Sequence, residues 1–127
     1  MNTNKKLGGL RVLLAEDSPD NQLIVSLMLK AAGAEVAVVD NGQAVLDQLQ
    51  RQSYDVVLMD ITMPVMDGFE AILRLRSEGH QVPVFALTAY SLDEERQKCL
   101  ESGFTGHISK PIDRAALLES LSPFVLS

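Results

Sequence analysis

Four short runs of the chain are apolar at nearly every position: Leu10–Ala15 (LRVLLA), Glu35–Val39 (EVAVV), Tyr54–Met59 (YDVVLM) and Val82–Leu87 (VPVFAL). Runs of this length, rich in β-branched residues and bounded by turn formers, suit strands covered on both faces, as in a parallel sheet. His107–Ser109 is a weaker fifth. Between them the period lengthens. Leu23, Ile24, Leu27, Met28 and Ala31 recur at helical spacing behind Ser18-Pro19 and before Gly33, which predicts a helix with a start and a stop signal. Val45, Leu46 and Leu49 mark a second helix, and Phe69, Ile72, Leu73 and Arg76 a third. Ser91–Leu100 reads as a mostly polar fourth with Leu92, Cys99 and Leu100 as anchors, and Ala115–Leu121 as a fifth. Five strand-then-helix units require crossover connections, so the expected fold is α/β: a doubly wound, five-stranded parallel sheet in one domain.

Composition narrows the setting. With 127 residues the chain holds one core. Seventeen acids against eleven bases leave a net charge of −6, which disfavours direct binding to nucleic acid or an anionic membrane. Cys99 is the single cysteine, so no internal disulfide forms, and a reducing, cytoplasmic compartment is expected. No apolar run approaches the ~20 residues of a membrane span. Residues 1–9, polar and ending in Gly8-Gly9, read as a flexible leader or linker.

In an open α/β sheet, ligands bind beyond the carboxyl ends of the strands. Those ends carry Glu16-Asp17, Asp60, Thr88 and Lys110-Pro111. Singly, each is ordinary: acids open helices, aspartate forms turns, threonine favours strands and lysine is usually solvated. Their joint placement is not ordinary. Three carboxylates gathered together need a cation, and oxygen donors without histidine or cysteine favour a hard ion such as Mg²⁺. An ammonium from Lys110 and a hydroxyl from Thr88 complete a set suited to a phosphoryl group, with a carboxylate as its acceptor.

With these residues in hand, the sequence resembles the receiver domain of bacterial two-component response regulators, over about residues 10–126. Leu58-Met59-Asp60-Ile61-Thr62-Met63-Pro64-Val65-Met66-Asp67-Gly68 is similar to the family's phosphorylation segment; Leu87-Thr88-Ala89 and Ser109-Lys110-Pro111-Ile112 resemble its two other signatures. The resemblance implies a flavodoxin-like strand order of 2-1-3-4-5 and phosphorylation of Asp60 by a partner's phosphohistidine. It implies that Asp17, Asp60 and the Thr62 backbone carbonyl bind Mg²⁺ directly, with Glu16 acting through water. Thr88 and Lys110 would contact the phosphoryl group, and Lys110-Pro111 would be a cis peptide that aims the lysine inward. Glu16-Asp17-Ser18-Pro19-Asp20-Asn21-Gln22 resembles receivers fused to hybrid sensor kinases more than the chemotaxis regulator. Expected partners are therefore a sensor histidine kinase and a histidine phosphotransfer protein, the chain itself being a monomer or weak dimer. Two positions depart from the family: His107 stands where an aromatic switch residue is usual, and Tyr90 is bulky enough to overhang the site, beside Thr62, and to slow water.

Three other readings compete. A haloacid-dehalogenase-like phosphatase would need a second aspartate where Thr62 stands, a flavodoxin-type cofactor binder would be repelled by Glu16 and Asp17, and a pseudo-receiver would lack site residues that this chain has. The expectation is a phosphoacceptor with weak self-catalysed phosphorylation and dephosphorylation, not a turnover enzyme.

Overall fold

The computed structural model describes residues 6–89 and 93–125, with side chains of 93–96 left aside. Five strands, β1 (Arg11–Ala15), β2 (Glu35–Val39), β3 (Val56–Asp60), β4 (Val84–Thr88) and β5 (Gly106–Ser109), alternate with five helices. These are α1 (Pro19–Ala31), α2 (Gly42–Arg51), α3 (Gly68–Ser77), α4 (Asp93–Ser102) and α5 (Arg114–Leu121), followed by a 3₁₀ turn at Ser122–Phe124. All strand pairs are parallel, in the order β2-β1-β3-β4-β5. The third and fourth strands start later than the apolar runs because Tyr54, Asp55, Val82 and Pro83 serve as approaches; Pro83 has no N–H to donate and offers only its carbonyl, to Val57. The shift places Asp60 and Thr88 as the last residues of their strands.

Alternate strand residues enter opposite layers. Val12, Leu14, Leu58 and Leu87 pack with Val25, Leu29 and Leu117 on the α1/α5 side, while Leu13, Val57, Met59 and Ala86 pack with Val45, Ile72 and Cys99 on the other. Three helix starts carry side-chain caps from Ser18, Asn41 and Asp67, and α5 has one from Asp113. No described helix is long and apolar enough to cross a membrane.

Several expectations are revised. On α1 the buried residues are Val25, Ser26 and Leu29, whereas Leu23, Ile24 and Leu27 are 60%, 48% and 59% exposed and Ala31 is also outside. The helix is apolar on two faces, and only tertiary contact decides which one the sheet takes. Leu73 of α3 and Leu100 of α4 are likewise exposed, their places inside taken by Ala71, Leu75 and Cys99. Leu92 lies outside the described residues. Residues 6–9, placed by composition in the leader, form a turn: Leu7 is fully buried, and its N–H donates to the Ala32 carbonyl at 2.8 Å. The α1 C-terminus thus gains a backbone donor that neither helix propensity nor periodicity shows.

Arg76, near the end of α3, donates from Nε to the Gly103 carbonyl at 3.0 Å and from Nη1 to those of His80 and Val82 at 2.9 and 2.8 Å. This half-buried fork ties the C-terminus of α4 to the approach to β4, and partial burial draws its guanidinium below the ordinary value. Ser26 is less well served. Its hydroxyl is buried without a hydrogen-bond partner among the described residues, so Ser26→Ala should raise the unfolding free energy by about 1 kcal/mol, combining better helix propensity with relief of an unpaired polar group. Urea denaturation reads this out, and a loss of stability would show that the hydroxyl is satisfied.

Candidate functional site

At the carboxyl edge of the sheet, the ends of β1, β3, β4 and the loop after β5 surround a cleft of about 410 Å³. Glu16 follows β1 and is 1% exposed; Asp17 beside it faces solvent. Glu16 is fixed by its own N–H to the Val39 carbonyl (3.0 Å), by the Ser18 N–H to its Oε2 (3.2 Å) and by the Gln22 side chain on its carbonyl (2.6 Å). Asp60 is held by the Thr62 N–H, which donates to Oδ1 at 2.9 Å.

Lys110 lies between the two buried acids. Its Nζ is 2.6 Å from Asp60 Oδ2 and 3.0 Å from Glu16 Oε1. Glu16 Oε1 is fully buried, and the Lys110 ammonium at 3.0 Å supplies its compensating charge. Burial pushes the Glu16 carboxyl up, Lys110 partly opposes this, and Asp60 adds to it. For Lys110 burial acts to lower the ammonium, but the bonds to Asp60 and Glu16 outweigh it and the net direction is up. The lysine stays charged. The Lys110–Pro111 bond is cis, and the Lys110 N–H donates to the Thr88 carbonyl at 2.8 Å.

One oxygen from each of Glu16, Asp17 and Asp60 falls within 4.8 Å of the others. Two carboxylates at that separation repel by roughly 3 kcal/mol at an effective dielectric of ~20, and one ammonium cannot neutralise three of them. The all-oxygen donor set, the uncompensated charge and the open rim fit a hard divalent cation with room for water and a further anion. Thr88 is buried at the cleft wall and Thr62 is exposed at its rim. His107 is half-buried in β5, in register with Ala86. Tyr90 lies outside the described residues.

The loop behind Asp60 was less legible. Met63 and Met66 are buried in the α2/α3 layer, and the first residue of α3, Gly68, donates to the Ile61 carbonyl at 3.0 Å. A Cβ on Gly68 would meet Asp60 O and Ile61 Cα at 2.7 Å, so the glycine lets α3 press on the very backbone that carries Asp60. At the loop tip Val65 adopts φ 67° within a tight turn closed by Met66 N–H to Pro64 O at 2.7 Å. A β-branched residue there stores about 1–2 kcal/mol, held by the methionine anchors on either side.

The description "response regulator receiver domain" is that of the family whose pattern matches residues 12–122. Sensor histidine kinase GacS of Pseudomonas protegens is 40% identical over 114 residues, covering 86% of this chain and 12% of that protein. The receiver domain of sensor histidine kinase PA1611 from Pseudomonas aeruginosa, solved with a magnesium ion coordinated in its active-site cleft, superimposes with a TM-score of 0.84 at 38% identity, covering 92% and 98% of the two chains. The receiver domain of Saccharomyces cerevisiae Ssk1, solved with the histidine phosphotransfer protein Ypd1, gives 0.87 at 25% identity, covering 93% and 90%. The chain spans about an eighth of the length of the sensor histidine kinases it matches.

Proposed function

This chain belongs to the response regulator receiver domain family, and from that premise we propose that Asp60 is its phosphoacceptor in a two-component phosphorelay. The observation that carries the reading is the convergence of Asp60, Glu16, Asp17 and Lys110, from three strand ends, on one cleft. Glu16, Asp17, Asp60 and the Thr62 backbone carbonyl would hold Mg²⁺, which supplies positive charge against the phosphoryl oxygens.

Asp60 Oδ attacks phosphorus in line while Oδ1 stays oriented by the Thr62 N–H. Lys110 exchanges its ion pair with Asp60 for one with the new phosphoryl oxygens, and the Thr88 hydroxyl donates to another. His107 and Thr88 form the switch pair, with movement passing to the surface of α4, β5 and α5. Thr62, exposed at the rim of the cleft, sets access of water to the acyl phosphate, so self-dephosphorylation is weak; self-phosphorylation by small acyl phosphates is weak as well. In this reading the chain acts in the cytoplasm, as a monomer or weak dimer, and is a receiver of hybrid-kinase type. A sensor histidine kinase supplies its phosphoryl group, and a histidine phosphotransfer protein exchanges it.

The test is intact-mass spectrometry after incubation with acetyl phosphate. Gain of one phosphoryl group with Mg²⁺, abolished by chelation, is expected; no gain with Mg²⁺ would leave a docking module without chemistry. The exposed Leu23, Ile24 and Leu27 of α1, with Ile24 lining a hollow that adjoins the cleft, form the partner's contact. Leu27→Asp should lower transfer from a phosphorylated partner about tenfold relative to labelling by acetyl phosphate, the loss expected for one buried apolar anchor. An unchanged ratio would place the contact elsewhere.

A further inference from the structure

Asn21 lies in the first turn of α1, where its N–H reaches the capping Ser18 Oγ at 3.4 Å. The acceptor that a capping box would place at this position is not needed, because the Ser18 N–H already donates to Glu16 Oε2 at 3.2 Å, and asparagine is a poor helix former. Local helix chemistry therefore gives no reason for the residue. Its carboxamide has no hydrogen-bond partner among the described residues, yet it lines the cleft around Asp60 and also an adjoining, more enclosed cavity of about 230 Å³. Glu16, Asn21 and Lys110 are shared by the two hollows, and Asn21 is the uncharged one of the three. Ile24, Pro111 and Ile112 give the smaller cavity its apolar wall.

A histidine donor has a requirement that an acyl phosphate does not. Transfer breaks the P–N bond and forms a P–O bond to Asp60, and the P–N electron pair returns to the ring nitrogen. The ring departs as neutral imidazole only while its other nitrogen keeps its proton; without it, imidazolate must leave, and that is a far poorer leaving group. A neutral acceptor at the ring's N–H holds this proton in place and fixes the ring plane. Among the acids of the cleft, Asp60 is the nucleophile and Glu16 is paired with Lys110, with Asp17 joining them in the carboxylate cluster. Asn21 Oδ1 is uncommitted, and the side cavity it lines has an apolar wall from Ile24 and Pro111 that suits a flat ring.

We infer that Asn21 is a donor-recognition residue: its Oδ1 accepts the N–H of the incoming phosphohistidine ring at the junction of the cleft and the side cavity, favouring imidazole donors over acyl phosphates. This rests on the phosphoacceptor reading above. The experiment compares initial rates of Asp60 phosphorylation by monophosphoimidazole and by acetyl phosphate, both with Mg²⁺, in wild type, Asn21→Leu and Asn21→Gln. These donors need no protein docking, so a partner surface cannot produce the result. The phosphoimidazole-to-acetyl phosphate rate ratio should fall about tenfold in Asn21→Leu, the size of one hydrogen bond to a charged group, and recover in part in Asn21→Gln. A ratio unchanged by Asn21→Leu, whether both rates hold or fall together, overturns the assignment of Asn21 alone. Failure of the wild type with both donors overturns the phosphoacceptor reading beneath it.

Discussion

Asp60→Asn is expected to abolish Mg²⁺-dependent labelling by acetyl phosphate and by phosphohistidine donors, to the background of the assay. The substitution keeps size and shape, and its carboxamide oxygen still accepts the Thr62 N–H that now meets Oδ1 at 2.9 Å. What disappears is the anionic nucleophile and one oxygen of the three-carboxylate cluster. Stability should change little. The lost attraction to Lys110 is offset by relief of repulsion from Glu16 and Asp17, terms of opposite sign and each of a few kcal/mol at most. Peptide mapping after acetyl phosphate treatment, beside urea denaturation, checks both halves. Labelling that persists on the peptide containing residue 60 would assign the chemistry to another group.

Lys110→Met has the second large effect, and it divides by metal. In the metal-free protein the ammonium is the cation within reach of both Asp60 and Glu16, at 2.6 and 3.0 Å, and it is itself mostly buried. Removing it leaves two buried carboxylates and their exposed neighbour Asp17 uncompensated. The unfolding free energy should drop by about 3 kcal/mol, the lower end for breaking a buried pair because the cleft is open to water on one side. Saturating Mg²⁺ should return most of this loss, since the ion binds only the folded cluster. Phosphorylation should stay slow even then, because no ammonium would meet the phosphoryl oxygens. Urea unfolding with and without Mg²⁺ reads the difference. An equal loss in both conditions would mean that Lys110 supports the fold by packing rather than by charge.

The sheet was readable because strands covered on both sides leave continuous apolar runs, and because strand-helix alternation leaves few topologies open. The convergence of Asp60, Glu16, Asp17, Thr88 and Lys110 on one cleft was readable for a related reason: parallel strands bring all their carboxyl ends to one edge. Periodicity failed on α1, where Leu23, Ile24 and Leu27 make a stripe as regular as Val25 and Leu29. Hydrophobic spacing finds an apolar face but does not say whether a sheet or a partner covers it. Leu7 was missed because a single buried residue in a polar segment has no period. Arg76 and Gly68 act through backbone carbonyls and close approach, which leave no mark in hydrophobic patterning. The unpartnered amide of Asn21 emerges only once the cleft has walls.

The Arg76 fork gives α4 a pivot. Its last turn is stapled through Gly103 to the root of β4, whereas its first turn follows the segment leaving Thr88 at the cleft. A push delivered from the cleft would therefore swing α4 like a lever about its far end, with the larger displacement at the helix start.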